Sequence, residues 1–166
     1  MSNCAYLSLG SNVGEREENL REAIQRLATV GKVLAVSSFY ETEPVEYTAQ
    51  DWFLNCALVL ETGKVAEGLL TSVLDLEQSM GRRRVRDKGP RNIDIDILLF
   101  GDSVVNSNGL TIPHPAMHRR RFVLEPLAEV APDAQHPVLR KTMRELLDAL
   151  PPGQIVRKAS PKPRER

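Results

Sequence analysis

Apolar and polar residues alternate through positions 5–10, with Ala5, Leu7 and Leu9 on one side and Tyr6 and Ser8 on the other. That period predicts a half-buried strand. Gly10-Ser11-Asn12-Val13-Gly14 is turn chemistry leading into a helix whose apolar positions Leu20, Ala23, Ile24 and Leu27 share one stripe, with Gly31 as its stop. Positions 33–42 are rich in β-branched and aromatic residues and predict a second strand, and 43–51, which contain Pro44, predict a loop before a third strand at 53–60. Helical spacing returns at 65–80 through Leu69, Leu70, Val73 and Leu74, ending at Gly81. A basic loop at 82–91 precedes a fourth strand at 93–100, and the pairs Gly101-Asp102 and Asn108-Gly109 predict turns around a short extra hairpin. Helical segments follow within 115–130 and 141–150. Positions 151–166 are basic, contain proline and have little to bury, so they predict a flexible tail behind one domain at 1–150. The order strand, helix, strand, strand, helix, strand predicts an α+β, ferredoxin-like sandwich. It would have an antiparallel sheet, helices on one face and extra helices at the C-terminal end.

Composition narrows the class. The 166 residues are 42% hydrophobic and 27% charged, which is ordinary for a folded globule. Lys+Arg and Asp+Glu number 22 each, so no overall positive field draws in nucleic acid or an anionic membrane, and any basic site must be local. Cys4 and Cys56 follow neither disulfide nor zinc spacing and predict buried free thiols. No basic region followed by an apolar run opens the chain, and no stretch approaches about 18 apolar residues. A cytoplasmic protein is expected, without a membrane partner. No exposed apolar stripe calls for a second copy, so a monomer is expected too.

The chemistry sits on residues that break the apolar pattern. In the third strand Leu54, Cys56, Leu58 and Leu60 form the core row, leaving Phe53 and Asn55 together on the other face. A ring beside an amide can stack on a flat heterocycle and bond its edge, or can simply be a surface aromatic beside a solvated amide. In the fourth strand Ile93, Ile95, Ile97 and Leu99 form the expected core row while Asp94 and Asp96 share the opposite face. Their backbones stand about 6.6 Å apart. Two like charges there repel unless a cation joins them, and oxygen donors suit magnesium. Just upstream, Gly81-Arg82-Arg83-Arg84-Val85-Arg86-Asp87-Lys88-Gly89-Pro90-Arg91 holds six cationic residues and one acidic one. Arginines beside a carboxylate pair point to a polyphosphate, with the glycines allowing the loop to close. Pro113 and Pro115 restrict the backbone around His114, which suits a placed donor as well as a structural histidine. Phe122 fits either core or a flat ligand. Glu77 falls on the buried stripe of the second helix near its C-terminal end, where burial and the helix dipole both oppose an anion. It needs a partner, and it would anchor the loop or orient an arginine there unless the helix end is partly exposed.

Together these residues resemble the 6-hydroxymethyl-7,8-dihydropterin pyrophosphokinase family of folate biosynthesis. The resemblance runs from Leu9-Gly10-Ser11-Asn12 to about Pro132 and centres on Gly89-Pro90-Arg91-Asn92-Ile93-Asp94-Ile95-Asp96-Ile97-Leu98. Ser37-Ser38-Phe39-Tyr40-Glu41-Thr42, Phe53-Leu54-Asn55, Glu77 with Gly81-Arg82, and Ile112-Pro113-His114-Pro115 support it. It implies transfer of pyrophosphate from ATP to the pterin hydroxymethyl group, releasing AMP, with two magnesium ions held by Asp94 and Asp96. It implies that Phe53 and Phe122 sandwich the pterin, while Asn55 and the backbone around Thr42 and Pro44 read its edges. Arg82, Arg84 and Arg91 would contact phosphates, His114 and Arg120 would also address ATP, and Leu70, Ile97 and Thr111 would line its base and ribose. Arg82, Arg91, Asp94 and Asp96 form the implied catalytic set. Four positions depart from the family pattern: Asp87-Lys88 stand where many members carry arginine and an aromatic, Phe53 replaces a common tyrosine, and Glu43 replaces a proline seen in some relatives. Two other classes share parts of this pattern. One is a different magnesium-dependent phosphoryl or nucleotidyl transferase. The other is an RNA-binding ferredoxin-like module, which the 5% aromatic content and the exposed aspartates disfavour.

Overall fold

A computed structural model describes residues 2–43, 52–81, 92–107 and 109–159. The chain runs through β1 (Asn3–Ser11), α1 (Arg16–Leu27), β2 (Lys32–Val36), β3 (Tyr40–Thr42), β4 (Phe53–Thr62), α2 (Ala66–Ser79) and β5 (Asp94–Phe100). It continues through the hairpin strands β6 (Val105–Ser107) and β7 (Leu110–Ile112), a 3-10 turn at Met117–Arg119, α3 (Arg121–Val130), α4 (Met143–Asp148) and β8 (Val156–Lys158). The main sheet is antiparallel in the order β5-β1-β4-β3-β8, with β2 also pairing β4. No helix among the described residues is long and apolar enough to cross a membrane.

One face of the sheet packs on α1 and α2. Leu7 and Leu9 of β1, Cys56, Leu58 and Leu60 of β4, and Ile95 and Ile97 of β5 meet Leu20, Ala23 and Leu27 of α1 and Leu69, Val73 and Leu76 of α2. The strand rows and the α1 stripe are those that the period-2 and period-3.6 patterns select, whereas in α2 Leu74, expected on the stripe, is exposed and Leu76 is buried. The other face carries a second layer. Tyr6, Ala57 and Leu99 pack against Met117, Val123, Leu124 and Leu127 from the turn and α3, and against Met143, Leu146 and Leu147 from α4. Helices thus cover both faces, and the added C-terminal helices close part of the face expected to lie open.

Three local features differ from the sequence pattern. The expected second strand is two strands, β2 and β3, each pairing with β4. Leu99 leaves the core row predicted for it, because Leu7 pairs Ile97 while Tyr6 pairs Leu99, so Leu98 is an extra residue in β5. That bulge reverses the alternation, placing Leu98 and Leu99 in the second layer and returning Phe100 to the first. The third feature lies in the segment expected to be a tail, where Val156–Lys158 form β8 and extend the sheet beyond β3, while positions 160–166 lie outside the described residues. Its apolar content gives no sign of this, since strand addition is driven by backbone hydrogen bonds.

Candidate active site

Sheet register assembles the site. Asp94 pairs Gly10, Gly10 pairs Asn55 and Asn55 pairs Tyr40, so the four lie in one row across β5, β1, β4 and β3. The next rows hold Asp96 with Ser8, and Phe53 with Thr42. Paired residues in a ladder point to the same face. The two aspartates, the amide and the aromatic ring therefore share one surface, the part that α3 and α4 leave free. Asp94 and Asp96 are half-buried there.

Asn55 is 5% exposed and held on both sides. Its Oδ1 accepts from Thr42 Oγ1 at 2.6 Å, and its Nδ2 donates to the Leu9 carbonyl at 3.4 Å. Gly10 makes room for it, because a Cβ at that position would stand 2.6 Å from Asn55 Nδ2 and 3.5 Å from Phe53 Cδ1. Replacing Gly10 by alanine should displace this amide and raise the KM for a ligand read by it about tenfold, the worth of one placed hydrogen bond. Steady-state kinetics of Gly10→Ala checks this, and an unchanged KM would show that Asn55 reads nothing.

Glu77 is 3% exposed, and its Oε2 accepts from the Ile95 backbone N–H at 2.7 Å. Ile95 lies between the two aspartates on β5, which among the described residues is an edge strand with no neighbour on its outer side. The carboxylate thus takes the place of a missing ladder partner and holds the strand that carries the acidic pair. The partner expected from the sequence was an arginine of the basic loop; the structure adds a main-chain one. At the end of the same helix, Asn92 Nδ2 donates to the Met80 carbonyl at 2.7 Å, and Gly81 adopts φ +81°, a conformation glycine accepts freely.

The bulge in β5 also places His114. The His114 N–H donates to the carbonyl of the extra residue Leu98 at 2.9 Å, drawing the segment after β7 against the strand. His114 Nδ1 accepts from the Ala116 N–H at 3.1 Å, so in the neutral ring the proton sits on Nε2. Burial lowers its pKa from 6.5, the Arg120 charge lowers it further, and Asp94 opposes both. The ring is therefore a neutral donor near pH 7, close enough to Arg120 and Asp94 to feel both charges. The Arg120 guanidinium lies 5.5 Å from the centroid of Phe122, in the first turn of α3.

Of the other expected site residues, Thr42 is buried beside Asn55, Leu70 packs at the margin of the first core layer, Ile97 is buried within it, and Thr111 is exposed on β7. Pro44, Arg82, Arg84 and Arg91 lie outside the described residues. Two contributors, Arg16 and Glu129, carried no sequence signal of their own. Arg16 makes a two-armed pair with Glu41, at 2.8 and 2.7 Å, and also donates to the Trp52 carbonyl at 2.9 Å. Glu129 of α3 accepts from the Tyr40 hydroxyl at 2.5 Å and from the Ser38 N–H at 2.9 Å, tying the helix that begins near Phe122 to the strand carrying Thr42. Burial alone would raise the Glu129 pKa, but the bonds from Tyr40 and Ser38 hold it below the usual carboxyl value. Both ties join residues too far apart in the chain for any periodic pattern to mark them.

An acidic pair on this sheet face can hold a divalent cation, and the amide, aromatic ring and neutral histidine near it can bond or stack on a ligand, the chemistry of a transferase site. Comparison with known proteins is more specific. Residues 6–132 match the profile of the 7,8-dihydro-6-hydroxymethylpterin-pyrophosphokinase family, and the chain belongs to that family. It is 44% identical over 155 residues to the 2-amino-4-hydroxy-6-hydroxymethyldihydropteridine pyrophosphokinase of Methylorubrum extorquens, covering 92% of this chain and 97% of that one. The Bacillus subtilis enzyme of the same name is 45% identical over 132 residues, covering 78% of this chain and 79% of that one. The folic acid synthesis protein fol1 of Schizosaccharomyces pombe is 44% identical over 149 residues, 89% of this chain, but this chain spans only 20% of it. Among solved structures, wild-type Plasmodium falciparum HPPK-DHPS with pteroate superposes with a TM-score of 0.71 at 19% identity, over 89% of this chain and 42% of that one, a likeness of fold.

Proposed function

We propose that the row Asp94–Gly10–Asn55 is where this chain transfers pyrophosphate from ATP to 6-hydroxymethyl-7,8-dihydropterin, giving AMP and the pterin diphosphate of folate biosynthesis. The observation that carries the proposal is the ladder register that sets Asp94 and Asn55 in one row on either side of Gly10. Two strand spacings separate Asp94 from Asn55, about 9.6 Å, so a bicyclic ring read at its edge by Asn55 extends its side arm toward the carboxylates. Phe53 and Phe122 are the ring's stacking partners, and Thr42, with the main chain near Pro44, orients Asn55 and the ring edge.

Asp94 and Asp96 supply hard oxygen donors, the type magnesium takes, and magnesium keeps most of its shell for water and phosphate. Two carboxylates suffice for that, and among the described residues no group of three or more metal-ligating side chains occurs. The aspartates would hold two magnesium ions with the ATP phosphates, and bound there the ions neutralise phosphate charge. His114 donates from Nε2 to a phosphate oxygen, and Arg120 adds positive charge beside it. Arg82, Arg84 and Arg91 fork onto the remaining oxygens. Because β5 is an edge strand, a nucleotide can pass around it from the aspartate face to Leu70, Ile97 and Thr111. Positioning of the hydroxyl in line with the β-phosphorus does most of the work, since the transfer needs little covalent help. The core order β5-β1-β4-β2, with α1 and α2 on one face, supports a ferredoxin-like assignment for the central unit.

Incubation with ATP, magnesium and the dihydropterin should release AMP in step with pterin diphosphate. Release of ADP, or nucleotide turnover independent of pterin, would rule the proposal out.

A further inference from the structure

The C-terminal segment expected to be a tail is bound along β3 and Glu43, beside the strand that carries the proposed pterin reader. β8 pairs with β3 in the register Thr42–Val156, Glu41–Arg157 and Tyr40–Lys158. Just before it, the Ile155 N–H donates to Glu43 Oε1 at 2.8 Å, the Glu43 N–H donates to the Ile155 carbonyl at 3.2 Å, and Gln154 Nε2 donates to the Glu43 carbonyl at 2.7 Å. Glu43 thus uses its amide, its carbonyl and its carboxylate on the same two residues. A proline at that position, as in the family pattern, offers neither the N–H nor the carboxylate. Across the strand pair, the Arg157 guanidinium lies 5.2 Å from the centroid of Trp52, the residue preceding Phe53.

The other end of this segment reaches the start of α3. Arg121, next to Phe122, donates to the Pro151 carbonyl at 3.3 Å, and a cleft of about 390 Å³ is lined by both Phe122 and Gln154. Residues 150–159 therefore bridge the element carrying Phe122 and the strands carrying Thr42 and Phe53.

We infer that this segment is a clasp that sets the pterin site, with Gln154 and Arg157 as positioning residues for Thr42, Asn55 and Phe53 through Glu43 and Trp52. The inference rests on the pterin reading above and adds what decides affinity for that substrate. Gln154 and Arg157 bond Glu43 and cover Trp52 on the pterin side, and although Arg120 lines the same cleft as Gln154, the clasp acts mainly on the pterin. Arg157 is exposed and Gln154 half-exposed, so their removal spares the core.

The test is dihydropterin binding to the full chain followed by its fluorescence, together with steady-state KM values for both substrates. Gln154→Ala with Arg157→Ala should weaken pterin binding and raise its KM about five- to twentyfold, leaving the KM for ATP within twofold. Arg157→Lys, which keeps a cation over Trp52, should recover most of the loss. Pterin affinity equal to that of the unsubstituted chain would overturn the clasp. So would a parallel fall in affinity for both substrates accompanied by a lower unfolding temperature, the mark of a purely structural role. Failure of the unsubstituted chain to bind the dihydropterin would instead refute the functional reading itself, and the clasp with it.

Discussion

Asp96→Asn should reduce AMP formation by about a thousandfold or more while moving the unfolding midpoint by only a few degrees. The substitution keeps the shape and polarity of the side chain and removes the charge that a divalent cation requires. Metal-assisted stabilisation of phosphoryl charge supplies several kcal/mol, and on the order of 4 kcal/mol corresponds to roughly three decades in rate. Asp94→Asn should behave alike, because the same face and the same half-burial apply to both. The measurements are AMP release under saturating substrates, a magnesium titration of the residual rate, and thermal unfolding without ligands. Residual turnover should need more magnesium than the unsubstituted chain. Turnover near that of the unsubstituted chain would mean that the acidic pair holds no metal, and the assignment of the whole face would go with it.

Glu77→Ala should have the second largest effect, and a different one. It removes the acceptor of a buried main-chain N–H, which costs about 1–3 kcal/mol for the unsatisfied group before any loss from the vacated volume. The midpoint of unfolding should therefore fall clearly. Turnover should drop by about tenfold or more as well, because small misplacement of reacting groups is expensive and Ile95 sits between the two aspartates. Glu77→Gln retains an oxygen that can accept from the same amide, so it should keep most of the stability and much of the rate. A Gln variant as damaged as the Ala variant would show that the negative charge, rather than the acceptor, is what matters there. An Ala variant of normal stability would show that the Ile95 amide finds another partner.

Glu77 also shows how far the sequence could be read. Its place on an apolar stripe near a helix end marks it as a group in need of a partner, by local geometry and the cost of burying charge. Which partner it takes depends on where β5 falls in the sheet. An edge position leaves a row of main-chain amides, and no pattern inside the strand says which edge it occupies or what lies beside it. Asn55 is similar. Alternation places it beside Phe53 on the face away from the core, but its freedom to sit there depends on the absent side chain of Gly10, which the register brings opposite.

The clasp was the least legible part. Composition made 151–166 an exposed tail, since the segment has few apolar residues to bury. Its strand is held by main-chain bonds, and those carry no residue-type signature. Glu43 stood out only as a departure from a family pattern, with no sign that its three polar groups would meet residues 154 and 155.

What the chain determined by itself was local: the period-2 rows that put Asp94 and Asp96 on one face, the helical stripes, the turns, and the resemblance carried by a contiguous motif. Each depends on covalent geometry repeating over a few residues. The tertiary structure decided the bulge at Leu98 that brings His114 to the acidic strand, the second helical layer that narrows the open face, and the union of β8 with β3. Those outcomes depend on which distant segments share space, and the energies that choose among them are sums over contacts that no short window of sequence contains.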